Sequence, residues 1–164
     1  MTRVFIVCFL FIAMAITSTA LRAESSQQHG ETITLEPELL ALLQAEMREI
    51  TIGVQKIPVA IAQGDWETLE QTSESIRTSY IMAKRLTGEQ KKALKSNLPA
   101  RFKQLDSAFH SRAGELAQAA RARDSELASY HYSRLIEGCA GCHSLYAREK
   151  FPGFGSAEEQ AHQH

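Results

Sequence analysis

Cysteine is scarce in this chain of 164 residues: there are three, and one of them, Cys8, falls in an apolar stretch near the N-terminus. Long hydrophobic runs are missing as well. The longest, VFIVCFLFIAMAI at 4–16, counts 13 residues, short of the roughly 20 that a membrane-spanning helix takes. Nor is there a basic excess: 18 Lys and Arg stand against 19 Asp and Glu, a formal net charge of −1. No cationic face for gripping a phosphate backbone is visible, so nucleic acid is not an expected partner. Alternating strand-like stretches are nearly absent. Finally, none of the 18 residues after Tyr146 is a methionine.

The N-terminus reads as an export label. Thr2 and Arg3 precede the apolar run, and the small-residue stretch TSTALRA offers cleavage after Ala20 or Ala23, the pattern of a secretory signal over 1–23. No membrane association is expected once it is cut. Roughly 140 residues are left, enough for one domain with a continuous core. Polar residues 24–34, ESSQQHGETIT, read as a flexible lead-in, 35–152 as the domain, and 153–164, ending in SAEEQAHQH, as a disordered tail.

Within 35–152 the apolar residues recur at helical spacing. A first helix is expected from Pro37 to Gln63, with Leu39, Leu43, Met47, Ile50, Val54, Ile57 and Ile61 on one face and a kink near Pro58. Gly64 closes it. Asp65 caps a second helix, striped by Trp66, Leu69, Ser73, Ile76, Tyr80 and Ala83, which is expected to stop near Leu86. Thr87 and Gln90 form a capping box for a short helix through Ser96. Pro99 opens a third long helix with Phe102, Leu105, Phe109, Ala113 and Leu116 inward, and Asp124 caps a fourth that FPGFG ends. Four such segments joined by short connections make an all-α protein: an antiparallel up-down-up-down four-helix bundle with a short extra helix between helices two and three.

Against the absences stands one dense cluster, EGCAGCHSLY at 137–146. Cys139, Cys142 and His143 share a face of the fourth helix. Ala140 and Gly141 between them are small enough for a flat macrocycle to lie near the backbone. C-x-x-C-H is the attachment signal of a c-type haem, two thioether links and one imidazole on iron. Two other chemistries use the same donors. A dithiol redox pair usually sits at a helix N-terminus, where the dipole lowers thiol pKa, whereas this pair lies near a helix C-terminus. Zinc would need a fourth ligand, and no second spaced pair exists.

On CAGCHSLY and the helix layout, the chain resembles the cytochrome c′ family, periplasmic four-helix-bundle cytochromes with C-x-x-C-H late in the last helix. The resemblance implies one covalent haem c with iron, thioethers on Cys139 and Cys142, His143 as proximal axial ligand, and Tyr146 as the aromatic three residues beyond it. It also implies a periplasmic location, periplasmic redox partners and pairing as a homodimer through the first two helices. Many relatives carry an arginine directly after that tyrosine. Here Ala147 takes the place and Arg148 follows, about 100° further round a helix. The globular cytochrome c order, with the motif first and methionine downstream, does not fit.

The distal side of the iron must be supplied from upstream. Met47 lies on the inward stripe of helix one and is the candidate distal axial ligand through its thioether; Met82 sits off the stripe of a continuous helix two and ranks second. A core-filling methionine is the plainer reading of either, with Leu40 or Leu43 as a non-ligating distal residue. Phe102, Leu105, Ile76 and Tyr80 are candidate pocket wall, with core packing an equally good account. Lys84, Arg85 and Arg101 read as propionate partners or as solvated helix ends. His131 reads as a hydrogen-bonded core histidine, and His110 lies far from the haem pole. Three functions follow: a single-electron carrier with both axial sites filled, a five-coordinate protein binding nitric oxide or carbon monoxide, and a thiol-disulfide oxidoreductase. No nucleophile, base and orienting group form a catalytic set, so an enzyme is not expected.

Overall fold

A computed structural model describes residues 33–154. The signal expected over 1–23 with its cleavage sites, most of the 24–34 lead-in and all but the start of the 153–164 tail lie outside the described residues. Pro152–Phe154, where that tail begins, form a single 3-10 turn.

Two helical hairpins form by the same local device. Helix α1 (Pro37–Gln63) starts with proline in its first turn and continues through Pro58 to Gly64, whose φ of 67° is the left-handed stop. The Gly64 N–H donates to Ile61 O and the Asp65 N–H to Ala60 O, satisfying carbonyls that the helix end would orphan. Asp65 then turns from stop to start, its carboxylate accepting the Thr68 N–H at 3.0 Å at the head of α2 (Trp66–Thr78). At the second hairpin Arg123 takes the left-handed role with φ 56°, and Asp124 accepts the Leu127 N–H at 2.9 Å to open α6 (Ser125–Tyr146).

Between the hairpins run α3 (Met82–Arg85), α4 (Gly88–Asn97) and α5 (Ala100–Ala122). The Thr87–Gln90 capping box is made in both directions, and Pro99 stands at the head of α5. No strand occurs among the described residues. The bundle is therefore α1, α2, α5 and α6, with two short helices at the crossover where one was expected. That order brings the start of α1, the end of α2, the start of α5 and the end of α6 to one pole.

Fully buried Ile57, Leu69, Ile76, Leu116 and Leu135 form the core with the small face of α5, Ala113, Ala119 and Ala120. Each large side chain contributes roughly 1.5–3 kcal/mol by leaving water. The buried positions of α1 are Leu39, Glu46, Ile50, Gly53, Ile57 and Ala60. Leu43, Met47, Val54 and Ile61 flank that seam, half-buried. The seam thus admits a carboxylate and a glycine that a hydrophobicity pattern passes over.

Helix two ends earlier than Leu86. It stops at Thr78, Ser79 adopts φ 67°, and the chain bends before resuming as α3. The cause is tertiary: the buried Glu46 carboxylate takes the N–H groups of Tyr80, Ile81 and Met82 at 2.8, 2.6 and 2.9 Å. A continuous helix would need those three donors for its own ladder.

Candidate cofactor site

The C-x-x-C-H motif occupies the last two turns of α6, and Cys139, Cys142 and His143 are each half-buried. Both thiols are free. Burial raises both above the ordinary thiol range; for Cys142, with Asp106 and Cys139 adding to burial, the value is pushed up to about 11. A redox dithiol needs the opposite shift. Burial, and then Lys150, lower the pKa of His143, so its imidazole is a neutral ring with a lone pair to offer a metal. Its ring stacks on Phe151, centroids 4.4 Å apart.

The two glycines of this stretch face different surroundings. A Cβ at Gly138 would stand 3.2 Å from Arg112 Nη1 and 3.4 Å from Phe109 Cδ2, whereas one at Gly141 would meet nothing within 4 Å. So α6 packs close on α5 at Gly138 and stands clear between the two cysteines. Tyr146, three residues past the histidine, meets Phe102 of α5 edge-on at 5.3 Å. Arg148, beyond Ala147, folds back to donate from Nε to the Ser144 carbonyl at 2.6 Å.

At the same pole lies a cavity of about 270 Å³, close to the lower bound of about 300 Å³ for small-molecule sites. Leu43 and Met47 line it from α1, Met82 and Leu86 from the segment after the break, Leu94 and Leu98 from α4 and its end, and Phe102 from α5. Met47, Leu43 and Phe102 therefore share one cavity. The motif of α6 borders it rather than lining it: Phe102 touches Tyr146, and Asp106, another lining residue, is near enough to raise Cys142.

Several side chains stand elsewhere than the pattern places them. Met82 lines the same cavity as Met47, because the bend at Ser79 removes the helical phase that set it aside. His110 also lines the cavity, three turns into α5. Its Nδ1–H donates to Ile76 O at 2.6 Å, and Asp106, 3.5 Å from Nε2, does most to raise its pKa against the lowering by burial. Leu40 is exposed and takes no part in the cavity wall, whereas Lys84, Arg85 and Arg101 are the solvated helix ends, and Ile76 the core residue, that the pattern allows; Tyr80 lies over Gly53. His131 Nδ1 is buried 3.3 Å from a Glu115 oxygen without hydrogen-bond alignment.

Glu46 is the site residue that sequence reasoning misses; its only signal is an acid one position before Met47 in an otherwise apolar seam. Among the described residues no three His, Cys, Asp or Glu side chains converge on a metal-sized point. Two free thiols one helical turn apart, a neutral imidazole beside them, open space at Gly141 and an adjoining, largely apolar cavity fit a covalently held haem.

A family model described as Cytochrome C' matches residues 38–147, from the first turn of α1 to the residue after α6. No curated protein and no solved structure matches the chain.

Proposed function

We propose, for a chain that belongs to the cytochrome c′ family and is therefore a c-type haem protein, that it carries one haem covalently on α6 and passes single electrons in the periplasm. Cys139 and Cys142 would hold the thioether links and His143 the proximal axial position. Met47 is the distal ligand in this reading, with Met82 as its rival. The observation that carries it is the presence of both methionines in the wall of one largely apolar cavity that adjoins the C-x-x-C-H helix. When bound, the haem supplies a one-electron couple and, at an open axial position, affinity for diatomic gases.

The residues of the chain itself do the rest. Leu43, Leu98 and Phe102 supply apolar wall to the cavity, and Phe151 covers one face of the His143 ring. With His143 and a methionine both given to the iron, the haem would supply a one-electron couple suited to a carrier. The partners are then periplasmic redox proteins meeting an exposed haem edge. Pairing of two copies through α1 and α2 belongs to the same reading, supported by Ile52 and Val59, which stand half exposed on α1. No catalytic turnover is assigned.

A second reading rests on the leucines. Leu43, Leu86, Leu94 and Leu98 give the cavity an apolar wall with free volume, a setting for nitric oxide or carbon monoxide on five-coordinate iron.

Optical spectra of the haem-loaded protein in both oxidation states, beside Met47→Ala and Met82→Ala, separate the two. A low-spin wild type that turns high-spin in one variant supports the carrier and names its ligand. A high-spin spectrum unchanged in both variants removes the methionines and leaves the gas-binding reading.

A further inference from the structure

The bend after α2 is held from two neighbouring helices. From α1, the buried Glu46 side chain accepts three consecutive backbone donors, Oε1 from Tyr80 and Oε2 from Ile81 and Met82. Gly53, two turns along the same seam, leaves room for the Tyr80 hydroxyl, which stands 2.4 Å from where a Cβ would be. From α5, His110 binds the Ile76 carbonyl, the acceptor that the Ser79 N–H also uses. Ser79 itself sits in left-handed backbone that a serine rarely adopts. Local preference therefore opposes this bend, and tertiary contacts impose it.

Its consequence falls on the cavity. Ser79, Met82, Ala83 and Leu86 form one wall, and Glu46 and His110 line the same space. Were α2 to continue, Met82 would lie six residues past Ile76, some 240° around the helix from that core position. The bend is what brings it to the cavity.

We propose that Glu46 is a positioning residue for the distal side of the haem cavity: it latches the Ser79–Met82 segment to α1 and so fixes the wall that Met82 and Leu86 supply. A carboxylate suits the task because it accepts several N–H bonds on two oxygens and donates none. Three N–H bonds shared over two oxygens are more than the single oxygen of a glutamine side chain, with its two lone pairs, accepts. The proposal rests on the haem reading above and goes beyond it by assigning the distal wall to a residue that touches neither iron nor thioether.

The test uses haem-loaded wild type, Glu46→Ala and Glu46→Gln. Amide hydrogen exchange is read at Tyr80, Ile81 and Met82, and the association rate of carbon monoxide with the reduced protein is read beside it. In Glu46→Ala, with the Tyr80 and His110 contacts still holding the bend, the three amides open to water and exchange at least about tenfold faster, and carbon monoxide binds several-fold faster. Glu46→Gln, which keeps one acceptor oxygen and the shape, falls between. If Glu46→Ala does not fold, the wild type and Glu46→Gln still decide. Wild-type amides unprotected at these positions, or faster exchange in a variant with an unchanged carbon monoxide rate, overturn the proposal. A wild type that takes up no haem sinks the functional reading and this proposal with it; a haem-bearing wild type that Glu46→Gln matches in both readouts sinks this proposal alone.

Discussion

His143 and Phe151 lie face to face, ring centroids 4.4 Å apart and planes 20° from parallel. The contact exists because α6 ends at Tyr146 and the chain folds back, the Phe151 N–H donating to Ala147 O at 2.9 Å. Phe151, the first residue of FPGFG, is thus a cover over the imidazole. Phe151→Ala should lower stability by about 1 kcal/mol beyond the loss of buried area, while Phe151→Tyr keeps the stack. Urea denaturation of the three proteins measures the difference.

Gly53 and Tyr80 form a matched pair. A Cβ at Gly53 would fall 2.4 Å from Tyr80 Oη and 3.3 Å from Cζ, an overpacking that costs about 1–3 kcal/mol. Replacing a helical glycine by alanine otherwise gains about 1 kcal/mol. Gly53→Ala should therefore destabilise the wild type and do so far less, or not at all, in a Tyr80→Phe background. A double-mutant cycle in urea gives the coupling directly.

These two pairs show where the sequence speaks and where it falls silent. Pro37, Gly64, Asp65, Thr87 with Gln90, Pro99 and Asp124 act within a few residues of themselves, and each marks the helix boundary it punctuates. The C-x-x-C-H spacing is local in the same sense. The end of α2 is different. It depends on Glu46, 34 to 36 residues upstream of the N–H groups it takes, and no window along the chain contains both. The orientation of Met82 and the place of His110 in the cavity wall escape the pattern for that reason: they follow from a bend and a cavity that only packing defines.

His110 makes stability depend on pH. Its folded pKa is raised above the ordinary 6.5, with the Asp106 hydrogen bond as the largest cause, then the Asp106 charge, the Ile76 carbonyl and Glu46, against the lowering by burial. The folded state thus binds the proton more tightly than the unfolded chain. Its contribution is complete below pH 6.5 and is lost as pH climbs through the folded pKa. The stability gap between wild type and His110→Gln should be widest in mild acid and shrink toward alkaline pH. Denaturation midpoints across that range check the sign.

Arg123 holds φ 56° at the turn between α5 and α6, where Gly64 does the same work between α1 and α2. A side chain in left-handed backbone costs about 1–2 kcal/mol, partly offset by the greater freedom of an unfolded glycine. Arg123→Gly should raise stability by up to about 1 kcal/mol. Thermal unfolding of the two proteins, with spectra unchanged, reads it.

A covalent haem at Cys139 and Cys142, with His143 on the iron, is what the proposed function of this chain requires. Its most direct measurement is the intact mass of the mature chain, produced in a host that performs this ligation and then treated with a thiol-alkylating reagent under denaturing conditions. The expected result is the polypeptide plus a single haem, with no alkyl group added and the colour retained. A colourless chain of bare polypeptide mass that takes up two alkyl groups contradicts it.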